Sequence, residues 1–393
     1  MFLSWFSSFS SQAHKVFFST ALIFLLLFLF LLLLNYSSLI YLEASLHDYH
    51  SYALIFVVFP QFFIGFLYTV FPRFLNTTSI TRKIYIKHFY IYFFATASFF
   101  LALLFSFTYY MFFAFFIFLA QVFSFSLLFK LYKESKVEDK YDAKWILISF
   151  FTGLTAHFLY FLSFFEFQYS YLLHSLALNA GFYLYLFSLI FAVSQRMVPF
   201  FTRGKTPGYV INKSKYLMEI IYVLLFLKVI IMSFDSLLLN LLADIPLFVF
   251  FTKELLRWKL PIKNSEAILW ILHLSLLWIP IGFFVSICES LFYFYGIYFE
   301  KAVIHIFALG FFLSILLGFA TRVVLGHSGQ TPHANKITVY CFIFLQFLVI
   351  LRFISALFIN TNFLYLLFIK ITLLLLLLTL CLWSFKYLKI LLK

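Results

Sequence analysis

The chain has 393 residues, of which 65% are hydrophobic and only 11% are charged, and its mean hydropathy is +1.05. Soluble domains carry about 25% charged residues, so this composition excludes a soluble globular protein and predicts an all-α polytopic membrane protein. A formal net charge of +14 would be typical of a nucleic-acid-binding protein if the chain were soluble. The distribution of the basic residues along the chain gives a different explanation of this net charge.

Twelve apolar runs are long enough to form membrane spans, since a transmembrane helix needs about 20 residues. The first run follows Lys15 and is too long for a signal-peptide core, so we expect it to be retained as span 1. Predicted spans 1 to 12 cover residues 16–35, 50–72, 88–107, 109–130, 145–165, 171–195, 216–234, 236–252, 265–287, 301–321, 337–358 and 362–385.

Most of the 28 Lys and Arg residues fall on one side of this predicted topology. They lie before span 1, after span 12 and in the loops that follow the even-numbered spans. The opposite loops carry acidic residues, among them Glu43 and Glu289. The positive-inside rule therefore predicts that both termini are cytoplasmic. Because topology accounts for the charge, we do not expect nucleic-acid binding.

Spans 2, 6 and 10 share a pattern in which a histidine begins the span and an arginine ends it. At a helical rise of about 1.5 Å per residue, these separations cover about 25–35 Å, close to a bilayer. We interpret them as three four-helix repeats, residues 1–144, 145–264 and 265–393, within a single membrane domain of residues 1–393. The pairs are His50 and Arg73, His174 and Arg196, and His305 and Arg322.

Histidines in or near the membrane are candidates for metal binding, since neutral imidazole is a common ligand of haem iron and copper. The alternative is an anchoring or hydrogen-bonding role at the interface. His50, His174 and His305 are the predicted ligands, and His157 and His273, near mid-membrane, are the second choices. His47 lies on the same helical face as His50, at i and i+3, and fits either a metal site or a solvated loop end.

Four segments of the chain resemble the NnrS family, and they occur in the same order as in that family. They are "GFLYTVFPRF" in span 2, "QRMVPFFTRG" at the end of span 6, "LHLSLLWIPIGF" in span 9 and "HIFALGFFLSILLGFATRVVLGHSGQTP" in span 10. The resemblance implies a bacterial inner-membrane protein with twelve spans that is associated with haem b and copper. It also implies a role in nitric oxide metabolism or protection against nitrosative stress, with nitric oxide or nitrosylated iron as the small-molecule partner.

Several residues of this chain match positions of the family's motifs. Two of them are the candidate ligands His273 and His305. The resemblance assigns no role to the other seven, which are Arg196, Pro199, Thr202, Arg203, Arg322, Gly326 and His327. The chain departs from the family before span 2, where the family's "WHAHEM" reads "HDYHSY". There only His50 matches, and Asp48 stands at the other histidine position.

A proton-coupled secondary transporter of a small solute is the alternative function. Lys228, Arg352 and Lys370 lie within predicted spans, and charged groups inside a membrane often mark transport pathways. Against this, many transporters repeat as two halves with helices broken by Gly and Pro. The sequence leaves open whether the protein is an enzyme, and it does not indicate an oligomeric state.

Overall fold

The computed structural model describes residues 2–105, 109–165, 167–234, 236–299 and 301–393, without the side chains of Phe2, Leu3, His47 and Asp48. Within those ranges the regular structure is helical, and no strand occurs. The prediction of an all-α polytopic membrane protein is therefore confirmed.

Ten helices of the described chain are long and apolar enough to cross a membrane. They correspond to predicted spans 1–6 and 9–12 and extend several of them, because helical hydrogen bonding continues beyond the apolar core. Their bounds are Ala13–Tyr36, Tyr49–Phe74, Arg82–Phe105, Tyr110–Glu134, Tyr141–Leu162, Ser170–Arg203, Ala267–Tyr295, Ala302–His327, Lys336–Leu357 and Asn362–Leu391.

Predicted spans 7 and 8 are also helices, Leu217–Met232 and Leu237–Trp258. The first has only 16 residues. The second carries several charged side chains, namely Asp244, Lys253, Glu254 and Arg257. These properties explain why neither helix has the length and apolarity that the other ten share.

Spans 2, 6 and 10 each contain a π-helical segment shortly after the histidine that begins the span. The segments are Ala53–Val58, Ala180–Phe187 and Ile306–Leu313. Elsewhere in the described chain, helices are α-helical or short 3₁₀ turns. In spans 6 and 10 a serine closes the segment by donating its hydroxyl hydrogen five residues back, from Ser188 to the Tyr183 carbonyl and from Ser314 to the Leu309 carbonyl. Since π-helical turns are rare and often occur at functional sites, these three segments indicate where to look for a functional region.

The same three spans are the most deeply buried. The apolar windows of spans 2 and 6 are each 89% buried and that of span 10 is 83% buried, whereas those of spans 3, 4 and 11 are 39%, 33% and 39% buried. The less buried helices expose large apolar side chains, such as Phe94, Phe112 and Ile343. Such surfaces are suited to lipid contact. The repeat of four helices is not tested by these observations and stays a prediction.

The chain forms two compact units by its internal contacts. Unit 1 comprises Met1–Leu189 and Ser384–Lys393. Its spans 1, 2 and 3 are joined by buried polar side chains: Thr20 contacts Gln61 at 3.4 Å, and Gln61 Nε2 donates to Thr96 Oγ1 at 2.6 Å. These bonds satisfy polar groups that would otherwise be costly in an apolar interior.

Unit 2 comprises Ile190–Trp383. Its spans 9, 10 and 11 are linked through Gln346, which accepts from Trp278 Nε1 at 2.6 Å and donates to Ser314 Oγ at 3.0 Å. Spans 9 and 10 approach closely at Gly318, where a Cβ would lie 2.5 Å from Leu272 Cδ2. The boundary between the units falls inside span 6 and coincides with none of the predicted repeat boundaries.

Candidate functional site

His157 of span 5 is completely buried in unit 1, and both of its ring nitrogens have partners. Nδ1 lies 2.9 Å from Oε1 of Gln121, and Nε2 lies 2.7 Å from the hydroxyl of Tyr52. The amide nitrogen of Gln121 donates to the carbonyl of Phe56, so its oxygen faces the histidine as an acceptor. Nδ1 must therefore carry the proton, and Nε2 accepts the Tyr52 hydroxyl.

Aromatic rings enclose this histidine and tie it to the π-helical segment of span 2. The ring of Phe56 stacks on His157 with centroids 4.6 Å apart, and Phe161 stacks on it at 5.0 Å. A metal bound by His157 would have to displace Tyr52 or Gln121. The arrangement thus fits a hydrogen-bonding role better than the predicted metal-binding role.

His50 and His174 are half-buried and lie on spans 2 and 6 of unit 1. The ring of His174 is 5.3 Å from that of Tyr160, which is in turn 4.8 Å from that of Tyr52, two residues from His50. The π-helical segments that follow the two histidines are in contact, because a Cβ at Gly181 would lie 2.8 Å from Ile55 Cγ2. Since these spans run in parallel, both histidines lie toward the same end of unit 1.

His305 begins span 10 in unit 2 and is half-buried. Its Nδ1 lies 2.8 Å from the backbone carbonyl of Lys301. A carbonyl only accepts, so Nδ1 carries the proton and Nε2 is the basic nitrogen. Histidines that bind metals commonly have this arrangement, in which the second nitrogen donates to a carbonyl and fixes the orientation of the ring.

His273 of span 9 is completely buried in unit 2 between two hydroxyl groups. Nε2 lies 2.9 Å from Thr202 Oγ1, and Nδ1 lies 3.2 Å from Ser265 Oγ. Each hydroxyl is also placed to donate to a backbone carbonyl, Thr202 to Val198 at 2.8 Å and Ser265 to Pro261 at 2.6 Å. His273 therefore joins spans 6 and 9, with one hydroxyl free to turn toward whichever nitrogen lacks a proton.

Arg322, near the end of span 10, is connected to the bonded pair of Thr202 and His273 through Phe201. Its guanidinium carbon is 3.9 Å from the centroid of the Phe201 ring, and Phe201 precedes Thr202. We call the group formed by these residues the Arg322 cluster; its members are Phe201, Thr202, Ser265, Glu266, His273 and Arg322. Three separate motifs, at the end of span 6, the start of span 9 and the end of span 10, are thus brought together in unit 2.

The remaining motif residues belong to the last turns of spans 6 and 10. Pro199 is buried inside the helix of span 6, Arg196 and His327 are half-buried, and Arg203 and Gly326 are exposed. Near Arg203, burial raises the pKa of Tyr209 to about 12, while the arginine charge opposes the shift. The neutral phenol donates to the Trp258 carbonyl at 2.8 Å and holds the loop that follows span 6.

Sequence reasoning missed the partners of the buried histidines and lysine. Tyr52 and Gln121 hold His157, and Asp244 pairs with Lys228 at 2.6 Å. One signal was present, because Gln121 and Gln346 are isolated amides in otherwise apolar spans. Of the other charges noted within spans, Arg352 donates to Ser355 Oγ at 3.0 Å, and Lys370 is half-buried.

No group of three or more His, Cys, Asp or Glu side chains within the described residues is arranged to hold a metal ion. The side chain of His47 lies outside the described residues, so its predicted place beside His50 is not tested. A comparison with curated proteins finds no match to the chain. The family described as "NnrS protein" matches residues 8–393, which is almost the entire sequence. The chain therefore belongs to the NnrS family.

Proposed function

We propose that this NnrS family protein is a membrane haem protein that acts in nitric oxide metabolism or in protection against nitrosative stress. The observation that carries the proposal is the bond between His305 Nδ1 and the Lys301 carbonyl, at 2.8 Å. It presents Nε2 as the basic nitrogen of a ring whose orientation is fixed. That nitrogen is the one a haem iron or copper ion would take.

His50 and His174 support the proposal as a second set of ligands, in unit 1. They come from parallel spans whose π-helical segments touch, and Tyr160 and Tyr52 connect their surroundings. Two imidazoles suffice for the axial ligands of a haem b. A copper site with three or more side-chain ligands does not fit the described residues, so copper is the second proposed cofactor, limited to one or two histidines.

Haem bound at these histidines would supply an iron centre that binds nitric oxide. The protein's own contribution is to hold the ligands and to keep water away. Lys301 fixes the tautomer of His305, and the residues that follow it, from Ile306 to Leu313, are almost all buried. We also propose that the protein lies in a bacterial inner membrane with both termini in the cytoplasm, which reporter fusions at each end would test.

The first experiment is a dithionite-reduced minus oxidised optical spectrum of the protein purified in detergent, with iron and copper measured on the same sample. We expect a b-type haem signal with iron near one per chain. His305→Ala should lower both, and His333→Ala is the matched control, because His333 is exposed and lies beyond span 10. Protein made with ample haem that shows neither signal nor metal would contradict the proposal.

A proton-coupled transporter is the second candidate, and the buried pair of Lys228 and Asp244 is the observation that favours it. Paired charges within a membrane bundle are typical of proton pathways. The two functions differ in their response to His305→Ala. Loss of the haem spectrum supports the first function, whereas loss of proton-coupled flux in proteoliposomes with no spectral change supports the second.

A further inference from the structure

Arg322 has an unusual environment for a charged side chain. Its guanidinium lies over the Phe201 ring at 3.9 Å, and the residue is only half-exposed. The nitrogen Nη1 is buried, and no atom of the described protein accepts a hydrogen bond from it. Neighbouring polar residues are otherwise satisfied, since Thr202 and His273 bond to each other at 2.9 Å.

A buried, unpaired N–H on a charged group is costly, so a partner is expected at this position. The guanidinium is always charged and can only donate, which means that the partner must be an acceptor. Stacking on Phe201 covers one face of the guanidinium and leaves its edge for hydrogen bonding. A planar group with two oxygen atoms matches that edge better than a spherical ion.

The carboxylate of the Arg322 cluster, Glu266, does not fill this role. Glu266 acts electrostatically on Arg322 but forms its ion pair with Lys205, at 3.1 Å. Both partners of that ion pair are more than a third exposed, at 39% for Lys205 and 43% for Glu266. Glu266 is thus held toward the surface by another cation, and the edge of Arg322 keeps its net positive character.

From this geometry we infer that the Arg322 cluster is a binding site for a small planar oxyanion, of the carboxylate, nitrite or nitrate class. Arg322 would donate to two oxygen atoms of the anion, and Phe201 would hold the guanidinium plane. The site is distinct from the proposed haem ligand His305. It lies 17 residues further along the same helix, or roughly 25 Å at the helical rise.

Binding is measured on the purified full chain as the rise in thermal unfolding midpoint with nitrite, nitrate or formate, at constant ionic strength against chloride. We expect a saturable rise for the planar anions and a smaller or no rise for chloride. Arg322→Gln should abolish it, and Arg322→Lys should weaken the affinity about tenfold or more, because the lysine lacks the two-pronged geometry. Arg203→Gln is the control, since it removes the same charge from an exposed position at the same end.

Two sources of the oxyanion are separated by repeating the titration on haem-depleted protein. Binding by the complete protein supports a free anion. Binding only after depletion would indicate a haem propionate at Arg322, which a haem held by His305 roughly 25 Å away could not supply, and would therefore contradict the assignment to a free anion. No saturable binding in either preparation, or binding that Arg322→Gln leaves unchanged, overturns the inference. Haem content read on the same samples keeps this result separate from the proposed function.

Discussion

The ammonium group of Lys228 lies 2.6 Å from Oδ1 of Asp244, and the two side chains are 2% and 0% exposed. Ser286 donates to the other carboxylate oxygen at 2.6 Å, so spans 7, 8 and 9 of unit 2 share one buried network. The two charges neutralise each other, which explains how spans 7 and 8 tolerate them in an apolar bundle.

Breaking this pair on one side should be strongly destabilising. Asp244→Asn removes the carboxylate that neutralises the buried Lys228 charge, at a cost of about 3–5 kcal/mol. Lys228→Met with Asp244→Leu removes both charges and should cost far less. The thermal unfolding midpoints of the two variants in detergent test whether the single variant is the less stable one. If the double variant is as unstable as the single one, the pair is not the source of the effect.

The hydrogen bonds of His157 should couple it energetically to Gln121. His157→Phe leaves the Gln121 oxygen unpaired, at about 1–3 kcal/mol, and removes the shorter of two partners of the Tyr52 hydroxyl, which keeps the Ala114 carbonyl at 3.3 Å. In a double-mutant cycle with Gln121→Leu, the two losses should be non-additive by about 0.5–3 kcal/mol. Additive losses would mean that the two side chains act independently.

Close approach at the π-helical segments should make Gly181 intolerant of larger residues. In Gly181→Val the new Cβ would meet Ile55 and Phe56 at 2.8 Å, and overpacking of this kind costs about 1–3 kcal/mol. Gly326→Ala is the control, because a Cβ there has nothing within 4 Å. We expect the first variant to unfold at a lower temperature and the second to behave like the native protein. Equal midpoints for all three would show that the contact at Gly181 relaxes freely.

Thr202 should stabilise the fold through the hydrogen bond of its hydroxyl to His273 and not through the volume of its side chain. Thr202→Val keeps the side-chain volume but removes the partner of Nε2, so we expect a loss of about 1–3 kcal/mol. Thr202→Ser keeps the hydroxyl and should lose much less. Thermal unfolding of the two variants side by side tests this, and a larger loss for the serine variant would point to the methyl group instead.

The sequence was sufficient to predict the helices, because each apolar run must satisfy its backbone hydrogen bonds internally to cross a membrane. It also located the motifs at the ends of spans 6, 9 and 10 that meet in the Arg322 cluster. Composition alone could not show that Phe201 lies beneath Arg322, since contacts between spans depend on which helical faces meet.

Polar partners inside the bundle were harder to predict. Lys228 was recognised as a charge within a span, but its counter-charge Asp244 is 16 residues away on the next helix. The same holds for His157, whose partner Gln121 lies 36 residues earlier. Tertiary packing decides which polar side chains pair, so a single sequence shows the isolated polar residues but not their hydrogen-bond or ion-pair partners.

The π-helical segment Ile306–Leu313 also determines the angular relation between the two ends of span 10. A π-helical turn contains one more residue than an α-helical turn, so it rotates everything beyond it relative to an uninterrupted α-helix. Because the π-helical segment accommodates an additional residue, deleting a single residue within it would restore α-helical winding and largely keep the direction of His305 relative to Arg322, whereas the same deletion in an uninterrupted α-helix would turn it by about 100°. The segment therefore takes up one residue without reorienting the ends of the span, and natural variants that wind the same residues as an α-helix would direct these two side chains toward different neighbours without changing either residue.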